Sequence, residues 1–538
     1  MDSLHGSTPG AAALATGRGG AAMALALLLA AAPVATGQSA QEPPPAPAAG
    51  AAAEASGPPG ATEGATPLPG PGQRRELLIR LANTYRAAGR YRKAAEQYRE
   101  LIALEPDAVE FRLGLAESLL LAGEHAEAVA EFEQVLAREP DNVAALIGMG
   151  RSHAWAGESV RAARSFERAL ELDPDSVPAR LELMRLDLAR SHYARALRYA
   201  EQLAALAPRN PAEQAAADEA SAARARIELL TRAQGWLRAS AYSNRDRFRR
   251  VNVGGELRLY PWLALPLTLS FVHAEFRQGG GHLTRETVQA AVGYAIERNL
   301  RFDGHLRYSR YGDRDETTGW RLAAVFEPLD RLQLRGSWRR RDLVDGAGGT
   351  DRGLEAVEML SHGGASLAAV ARKLEEEELA FAVEQYLWRP LLTYLQLVRA
   401  QVDGGNRHED LSAGAGLDVW RLAGLPEPNS HALRVKYGYW GTRYRLQEPS
   451  YFSPRQFWVQ TVSVEYELQL RRPPHQVRLV LEPALQRLKG EAELAFAGYG
   501  GLWWQIGDRL AFELQGWYFE QPLPFRSATV TAAFGYRF

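Results

Sequence analysis

The 538-residue chain has no cysteine. That absence excludes disulfides, thiolate metal sites, a cysteine nucleophile and a lipid anchor attached through cysteine. Charge of one sign is not in surplus either: the formal net charge is -1, so no basic excess argues for a nucleic-acid partner. Histidine is scarce, with 11 in the whole chain. Long apolar runs are missing too, although 46% of the residues are hydrophobic. Outside one N-terminal stretch, nothing approaches the roughly 18 uninterrupted apolar residues of a membrane helix. If this chain spans a membrane, it does so as strands. Its length is that of two or three folding units.

The one apolar stretch, "AAMALALLLAAAPVATGQSA", follows Arg18 and gives way to small residues. This is the pattern of a secretory signal peptide over residues 1–40, with cleavage after Gly37 or Ala40 fitting the small-x-small rule. Residues 41–73 are too rich in Pro, Ala and Gly to bury a core and read as a disordered linker.

A period then appears. Pro106, Pro140, Pro174 and Pro208 are each 34 residues apart, and Gly89, Gly123, Gly157 and Ser191 keep the same spacing. A fixed 34-residue period is the tetratricopeptide signature. Leu78, Leu81, Ala82, Tyr85, Ala94 and Tyr98 in the first unit recur in kind as Leu115, Ala116, Leu119, Ala128 and Phe132, and then as Leu146, Met149, Gly150, Ala162 and Phe166. The fourth keeps Leu183, Ala196 and Leu203 but has Ala200 where the others carry an aromatic ring. Residues 74–234 therefore read as four helix pairs plus a capping helix near 212–233. Such a superhelix offers a concave surface to a protein partner, or acts as a rigid spacer.

From Trp236 onward the period is two. "RVNVGGELRLY" sets Val251, Val253, Leu257 and Leu259 against Asn252, Glu256 and Arg258, and "NLRFDGHLRYSRY" alternates in the same way. Sixteen such segments lie between 236 and 538. An even number of strands of about 10 residues, apolar on one face and polar on the other, is the pattern of an antiparallel outer-membrane β-barrel, here 235–538. "ERN", "EPLD", "RRPPH" and "IGD" read as tight turns; "SRYGDRDETTG", "QVDGGNRHED" and "GTRYRLQEPSYFSPRQ" read as longer loops. A soluble sandwich also has period-two strands, but here the polar face carries Trp residues with charges of both signs. Residues 342–378 are too long for a turn and read as a loop with a short helix over or into the pore, or with an extra strand near 365–372. "EEEE" at 375–378 reads as a solvated end.

The chain closes on "AAFGYRF", with Ala532, Phe534, Tyr536 and Phe538 on one face. This is a closing strand with aromatics toward lipid, and its terminal Phe538 resembles the signal by which barrels are recognised for insertion. The inward phase holds Tyr386, Trp388, Trp420, Trp440, Trp503, Glu513 and Trp517. These rings and carboxylates suit sugar faces and hydroxyls, or they fill and stiffen the wall.

The order signal peptide, tetratricopeptide superhelix and sixteen-strand barrel resembles the outer-membrane exporters of bacterial exopolysaccharides. "YFSPRQF" at 451–457 and, more loosely, "LEAVEMLSHGG" at 354–364 are similar to the C-terminal region of the cellulose synthase operon protein C family. The resemblance implies export of cellulose or another secreted glycan such as poly-N-acetylglucosamine. It also implies a periplasmic repeat domain that docks glycan-synthesis proteins, and a barrel in outer-membrane lipid.

An enzyme would need a nucleophile, a base and an orienting group within reach. His273, His305, His362, His408, His431 and His475 fall on separate strands or loops. Glu465 and Glu467 share a strand face with Arg434 and Lys436 opposite and read as a charge ladder. No catalytic residue, metal or cofactor is assigned. A barrel-anchored periplasmic scaffold with a plugged pore is one alternative, and an outer-membrane enzyme acting on glycan or lipid is a further one.

Overall fold

The computed structural model describes residues 71–244, 246–343, 366–388, 390–419, 431–448, 453–489, 493–520 and 526–538. The expected signal peptide, nearly all of the linker, Trp420 and "LEAVEMLSHGG" lie outside the described residues. Helices α1 (Pro71–Ala87), α2 (Tyr91–Leu104), α3 (Val109–Ala122), α4 (His125–Arg138), α5 (Val143–Trp155), α6 (Ser159–Leu172), α7 (Val177–Ala189) and α8 (Tyr193–Ala204) pair in sequence as four repeats, and α9 (Pro211–Leu230) caps the last.

The repeats stack by fitting a ring into a missing side chain. A Cβ on Gly148 of α5 would lie 2.2 Å from the Phe132 ring of α4, so the ring packs directly on the α5 backbone. Phe132 and Phe166 are fully buried this way. The fourth repeat needs no ring because Ala200 packs against Ala220 and Ala223 of α9, where two small-residue faces approach closely. Asn210 starts α9 by accepting the Glu213 amide at 2.9 Å, while Glu213 reaches back to the Arg209 amide at 2.7 Å, a reciprocal cap. The turn between the helices of each pair is left-handed; Ser191, with φ 60, is the one non-glycine in the series.

The strands are β1 (Gln234–Asn244), β2 (Arg249–Trp262), β3 (Leu265–Gln278), β4 (Gly281–Glu297), β5 (Leu300–Tyr311), β6 (Glu316–Leu329), β7 (Leu332–Asp342), β8 (Glu375–Trp388), β9 (Leu391–Val402), β10 (Asn406–Asp418), β11 (His431–Tyr444), β12 (Phe457–Arg472), β13 (His475–Leu488), β14 (Ala495–Ile506), β15 (Leu510–Glu520) and β16 (Arg526–Arg537). Each pairs antiparallel with its neighbours in sequence, and β1 pairs with β16 from Gln234↔Arg537 to Asn244↔Ser527, closing a sixteen-strand barrel. The outer face is apolar: Leu237, Val253, Phe271, Leu306, Leu322, Leu397 and Val462 are all exposed. Closure excludes the sandwich reading.

Strands of 11 to 17 residues outrun the 9–11 or so that a hydrocarbon layer needs. The extra length corrects the loop expectations. "SRYGDRDETTG" and "QVDGGNRHED" are mostly strand: β5 runs to Tyr311 and β6 starts at Glu316, while β9 runs to Val402 and β10 starts at Asn406. Their charges do not mark loops: Arg310, Glu316, Arg407 and Glu409 are exposed on the outer phase of strands that continue beyond the apolar band, and His408 and Asp410 face the lumen. The 342–378 segment holds a short helix, α10 (Leu367–Ala371), where an extra strand was the alternative.

The repeats sit on the rim at the end of the barrel where β1 begins. Arg298, in the β4–β5 turn, donates through Nε and Nη2 to the two carboxylate oxygens of Asp187, both at 2.8 Å, and Asp187 is fully buried. Arg298 also pairs with Glu167, and Arg190 with Glu327. Asp330, in the β6–β7 turn, accepts the amides of Val160 at 2.5 Å and Arg161 at 3.0 Å, capping α6 from the barrel. No side chain of its own caps that helix. Glu158 receives Arg331 at 3.1 Å. Burial alone would raise the Glu158 pKa, but His153, Arg161 and Arg331 outweigh it and hold the carboxyl below its ordinary value. That contribution is present at neutral pH and is lost as pH falls through the lowered value.

Removing one partner of a buried ion pair leaves the other uncompensated, at a cost of about 3 kcal/mol or more. Arg298→Ala is therefore expected to speed hydrogen exchange in α6–α8 while leaving exchange in β10–β14 unchanged. Equal protection in both proteins would show that the rim contacts do not hold the repeats.

Candidate functional site

The inward face of β11–β16 and β1 is a continuous polar and aromatic wall. Pairing fixes which side chains share it: Arg434 lies across from Glu465, Arg478 from Trp503, Glu482 from Tyr499, Trp503 from Glu513 and Tyr499 from Trp517. The charge ladder forms here. Arg434 pairs with Glu465, and with Glu467 at 3.3 Å; Lys436 donates to Glu465 at 2.5 Å and Glu482 at 3.0 Å; Arg478 donates to Glu467 at 2.5 Å. Ser463 donates to Glu482 at 2.7 Å.

Two aromatic surfaces stand in this ladder. The Arg478 guanidinium lies 4.9 Å from the centre of the Trp503 ring. Higher in the lumen, Tyr499 and Trp517 lie 4.1 Å apart, tilted by 35°. Trp236, on β1, covers Gly535, where a Cβ would lie 2.7 Å from its ring. A recess of 590 Å³ at the repeat-side end is lined by Trp236, Arg434, Glu467, Arg478, Trp503 and Glu513 among others. The chemistry offered is that of flat faces beside carboxylates and guanidinium groups.

The seven lumen expectations separate. Trp503, Glu513 and Trp517 come together on this wall. Tyr386 is also on the inward phase, paired with Leu392, but on β8 beside the repeat-side turn. Trp388 is a correction: the register shifts between Tyr386 and Trp388, so Trp388 pairs with Leu391 on the outer phase and is half exposed there. Trp440 faces inward but is only 3% exposed, packed with Val459, Leu488 and Ala495 and edge-on to Phe457 at 6.1 Å. It has no face left for a ligand. Trp236, Arg478, Tyr499 and Glu482 went unassigned by the sequence; the phase of each strand was readable, but which strands' residues meet depends on register.

Phe534, Tyr536 and Phe538 lie at the β1–β16 seam, with Phe534 on the outer phase against Phe512 at 5.1 Å. The Phe538 amide donates to the Ala233 carbonyl at 2.9 Å, and its ring meets Tyr536 edge-on at 5.2 Å.

At the far end the described last part of the β7–β8 connection, residues 366–374, folds inward. Val370 of α10 packs with Tyr242, Phe248, Ala274, Phe276 and Tyr311 on the β1–β5 wall. Its neighbour Ala369 packs with Leu343, Leu374, Val402 and Tyr444 toward β9 and β11. The segment thus reaches across the lumen. Gln278 accepts the Leu367 amide at 2.8 Å, and Lys373 donates to Asp313 and Asp315 of the β5–β6 turn. Those two hydrogen bonds raise the Lys373 pKa above its ordinary value.

Beneath this segment, "EEEE" is not a solvated end, although Glu377 is exposed. Glu375, Glu376 and Glu378 are buried, because their strand starts inside an arginine-lined lumen. Glu375 takes Arg340 at 2.6 Å, Glu378 takes Arg339 at 2.7 Å and Arg341 at 3.2 Å, and Asp342 takes Arg285 at 2.7 Å and Arg307 at 2.5 Å. His408 lies between Glu376 at 2.5 Å and Asp410 at 2.9 Å, stacked on Tyr444. Both ring nitrogens are engaged by carboxylates, which leaves neither to activate a nucleophile.

A tetratricopeptide repeat model matches residues 79–134 and 122–177. No curated protein matches the chain. Among solved structures, a bacterial polysaccharide outer membrane secretin aligns at 11% identity over 57% of this chain and 99% of its own, with a TM-score of 0.44. A thermophilic tetratricopeptide protein of Thermus thermophilus aligns at 19% identity over 29% of this chain and 87% of its own, TM-score 0.26. The MamA protein aligns at 17% over 29% and 87%, TM-score 0.24.

Deleting a buried ring costs about 3–5 kcal/mol, whereas a half-buried ring that faces the lumen, as Trp503 does, costs less. Trp440→Ala is expected to lower the melting temperature of the detergent-solubilised barrel clearly, and Trp503→Ala to lower it less. Equal melting of the two variants would remove the distinction between packing and wall positions.

Proposed function

We propose that the chain is an outer-membrane channel that exports a secreted polysaccharide. The observation that carries this reading is the wall of Trp503, Trp517, Tyr499 and Trp236 set among Glu467, Glu482, Glu513 and Arg478, inside a barrel wide enough to enclose water. Sugar rings have an apolar face and a rim of hydroxyls, and this wall presents a partner for each. Repeated weak contacts suit conduction, since a site that binds tightly holds the chain still.

The apolar outer face and the closed ladder support placement in a bilayer, where every backbone group must be paired within the protein. The sequence resemblance to exopolysaccharide exporters, including the cellulose synthase operon protein C family, supports a glycan as cargo. The repeats then lie on the periplasmic side and receive glycan-synthesis proteins, because the chain enters the barrel from that rim. Phe534, Tyr536 and Phe538 serve insertion by the barrel-assembly machinery rather than transport. The segment across the far mouth closes the channel at rest. A scaffold with a permanently plugged pore is the competing reading, favoured by the same segment.

Secretion separates them. Cells carrying Trp503→Ala with Trp517→Ala are expected to secrete less polysaccharide per inserted barrel. Deleting residues 75–210 should also lower secretion while the barrel still inserts. Unchanged secretion in both strains would leave the barrel an anchor only.

A further inference from the structure

Among the described residues the repeats touch the barrel mainly along the edge formed by the turn inside each helix pair, while Glu167, in the middle of α6, also reaches Arg298. In repeat three that edge supplies Glu158, Val160 and Arg161 to the β6–β7 turn; in repeat four it supplies Arg190 to Glu327, and Tyr193 stacks edge-on with Tyr260 at 6.2 Å. Among the described contacts, repeats one and two make none with the barrel. Their stretch of the same edge therefore continues past the rim.

What that stretch carries is unusual for a solvated edge. Trp155, the last residue of α5, is 65% exposed, and its ring stacks edge-on with His125 of repeat two at 5.5 Å. Leu121 holds the equivalent position one repeat earlier and is 43% exposed. At the first turn Arg90, Arg92 and Lys93 are all exposed, and Arg92 is paired with Glu124 of the second turn at 2.8 Å. The opposite edge is balanced in charge: Asp107, Asp141 and Asp175 stand beside its turns, each paired with an arginine, Arg138, Arg168 and Arg180.

The level of this edge is fixed by the docking. Asp330, which caps α6, directly follows Leu329, an exposed residue on the apolar outer end of β6. The edge of repeat three is therefore held where the apolar band of the barrel ends. Aromatic rings favour that boundary, and basic side chains near it gain from anionic headgroups.

We infer that the turn edge of repeats one to three, through Trp155, Leu121, Arg90, Arg92 and Lys93, rests on the anionic phospholipid surface beside the barrel. This rests on the membrane reading above. It has a consequence for transport: contact with lipid, together with the rim pairs, fixes the direction in which the superhelix runs from the pore.

The absence of cysteine makes a direct test simple. The full chain carrying Trp155→Cys, Leu121→Cys, Asp107→Cys or Leu306→Cys is labelled with a fluorophore and reconstituted into vesicles of phosphatidylethanolamine and phosphatidylglycerol containing nitroxide lipid. Leu306, 68% exposed on the outer face of β5, reports barrel insertion; Asp107 reports the opposite edge. Labels at 121 and 155 are expected to lose fluorescence to headgroup nitroxide, and the label at 107 to keep it. Changing Arg90, Arg92 and Lys93 together to Glu should restore fluorescence at 121. Quenching at 306 with 121 and 155 no different from 107 would overturn the inference and leave the barrel intact; no quenching at 306 by acyl-chain nitroxide would overturn the membrane reading itself.

Discussion

Everything in the second part of this molecule follows from closing one strand ladder. A strand edge in hydrocarbon leaves its amides and carbonyls unpaired at several kcal/mol each, so the sheet must end on itself. The β1–β16 seam does this over eleven pairs, and the final Phe538 amide is bonded to Ala233 just before β1. Closure at sixteen strands then sets a lumen too wide for side chains from the wall to fill. Residues 366–374 pack into its far end, and ion pairs and rings line the wall elsewhere.

The same seam joins the two parts. Helix α9 ends at Leu230 and β1 begins at Gln234, so only a few residues separate the cap of the repeats from the closing strand. A joint that short would swing freely without side contacts. Asp187, fully buried under Arg298, and Asp330, capping α6, convert it into a fixed attachment on the rim. Repeat four carries a serine in the left-handed turn position, at φ 60, where the others have glycine. It lies between Arg190 and Tyr193, both of which reach the barrel.

How much of this the sequence disclosed depended on whether the information was local. The 34-residue period and the two-residue period are local, and both architectures were legible from them. The inward phase of Trp503, Glu513 and Trp517 was legible for the same reason. Trp388 was misplaced because a single irregularity before a turn reverses every phase beyond it. The "EEEE" run was misread because a cluster of like charge looks solvated until Arg339, Arg340 and Arg341 on the adjacent strand are placed opposite it. Trp440 looked like its wall neighbours, and only the packing of Phe457, Val459 and Leu488 around it shows otherwise. Asp187 and Arg298 lie in separate parts of the chain, and nothing in their local patterns announces that they meet.

The central claim is that the aromatic wall of β13–β15 and β1 carries a sugar polymer through an otherwise closed barrel. Single-channel recording tests it most directly, using the full chain with residues 366–372 removed so that the far mouth is unlatched. The account predicts a steady current that soluble β-glucan oligomers interrupt, with interruptions shortened when Trp503 and Trp517 are changed to Ala. A steady current indifferent to the oligomers, or interrupted equally with and without those two rings, would contradict it.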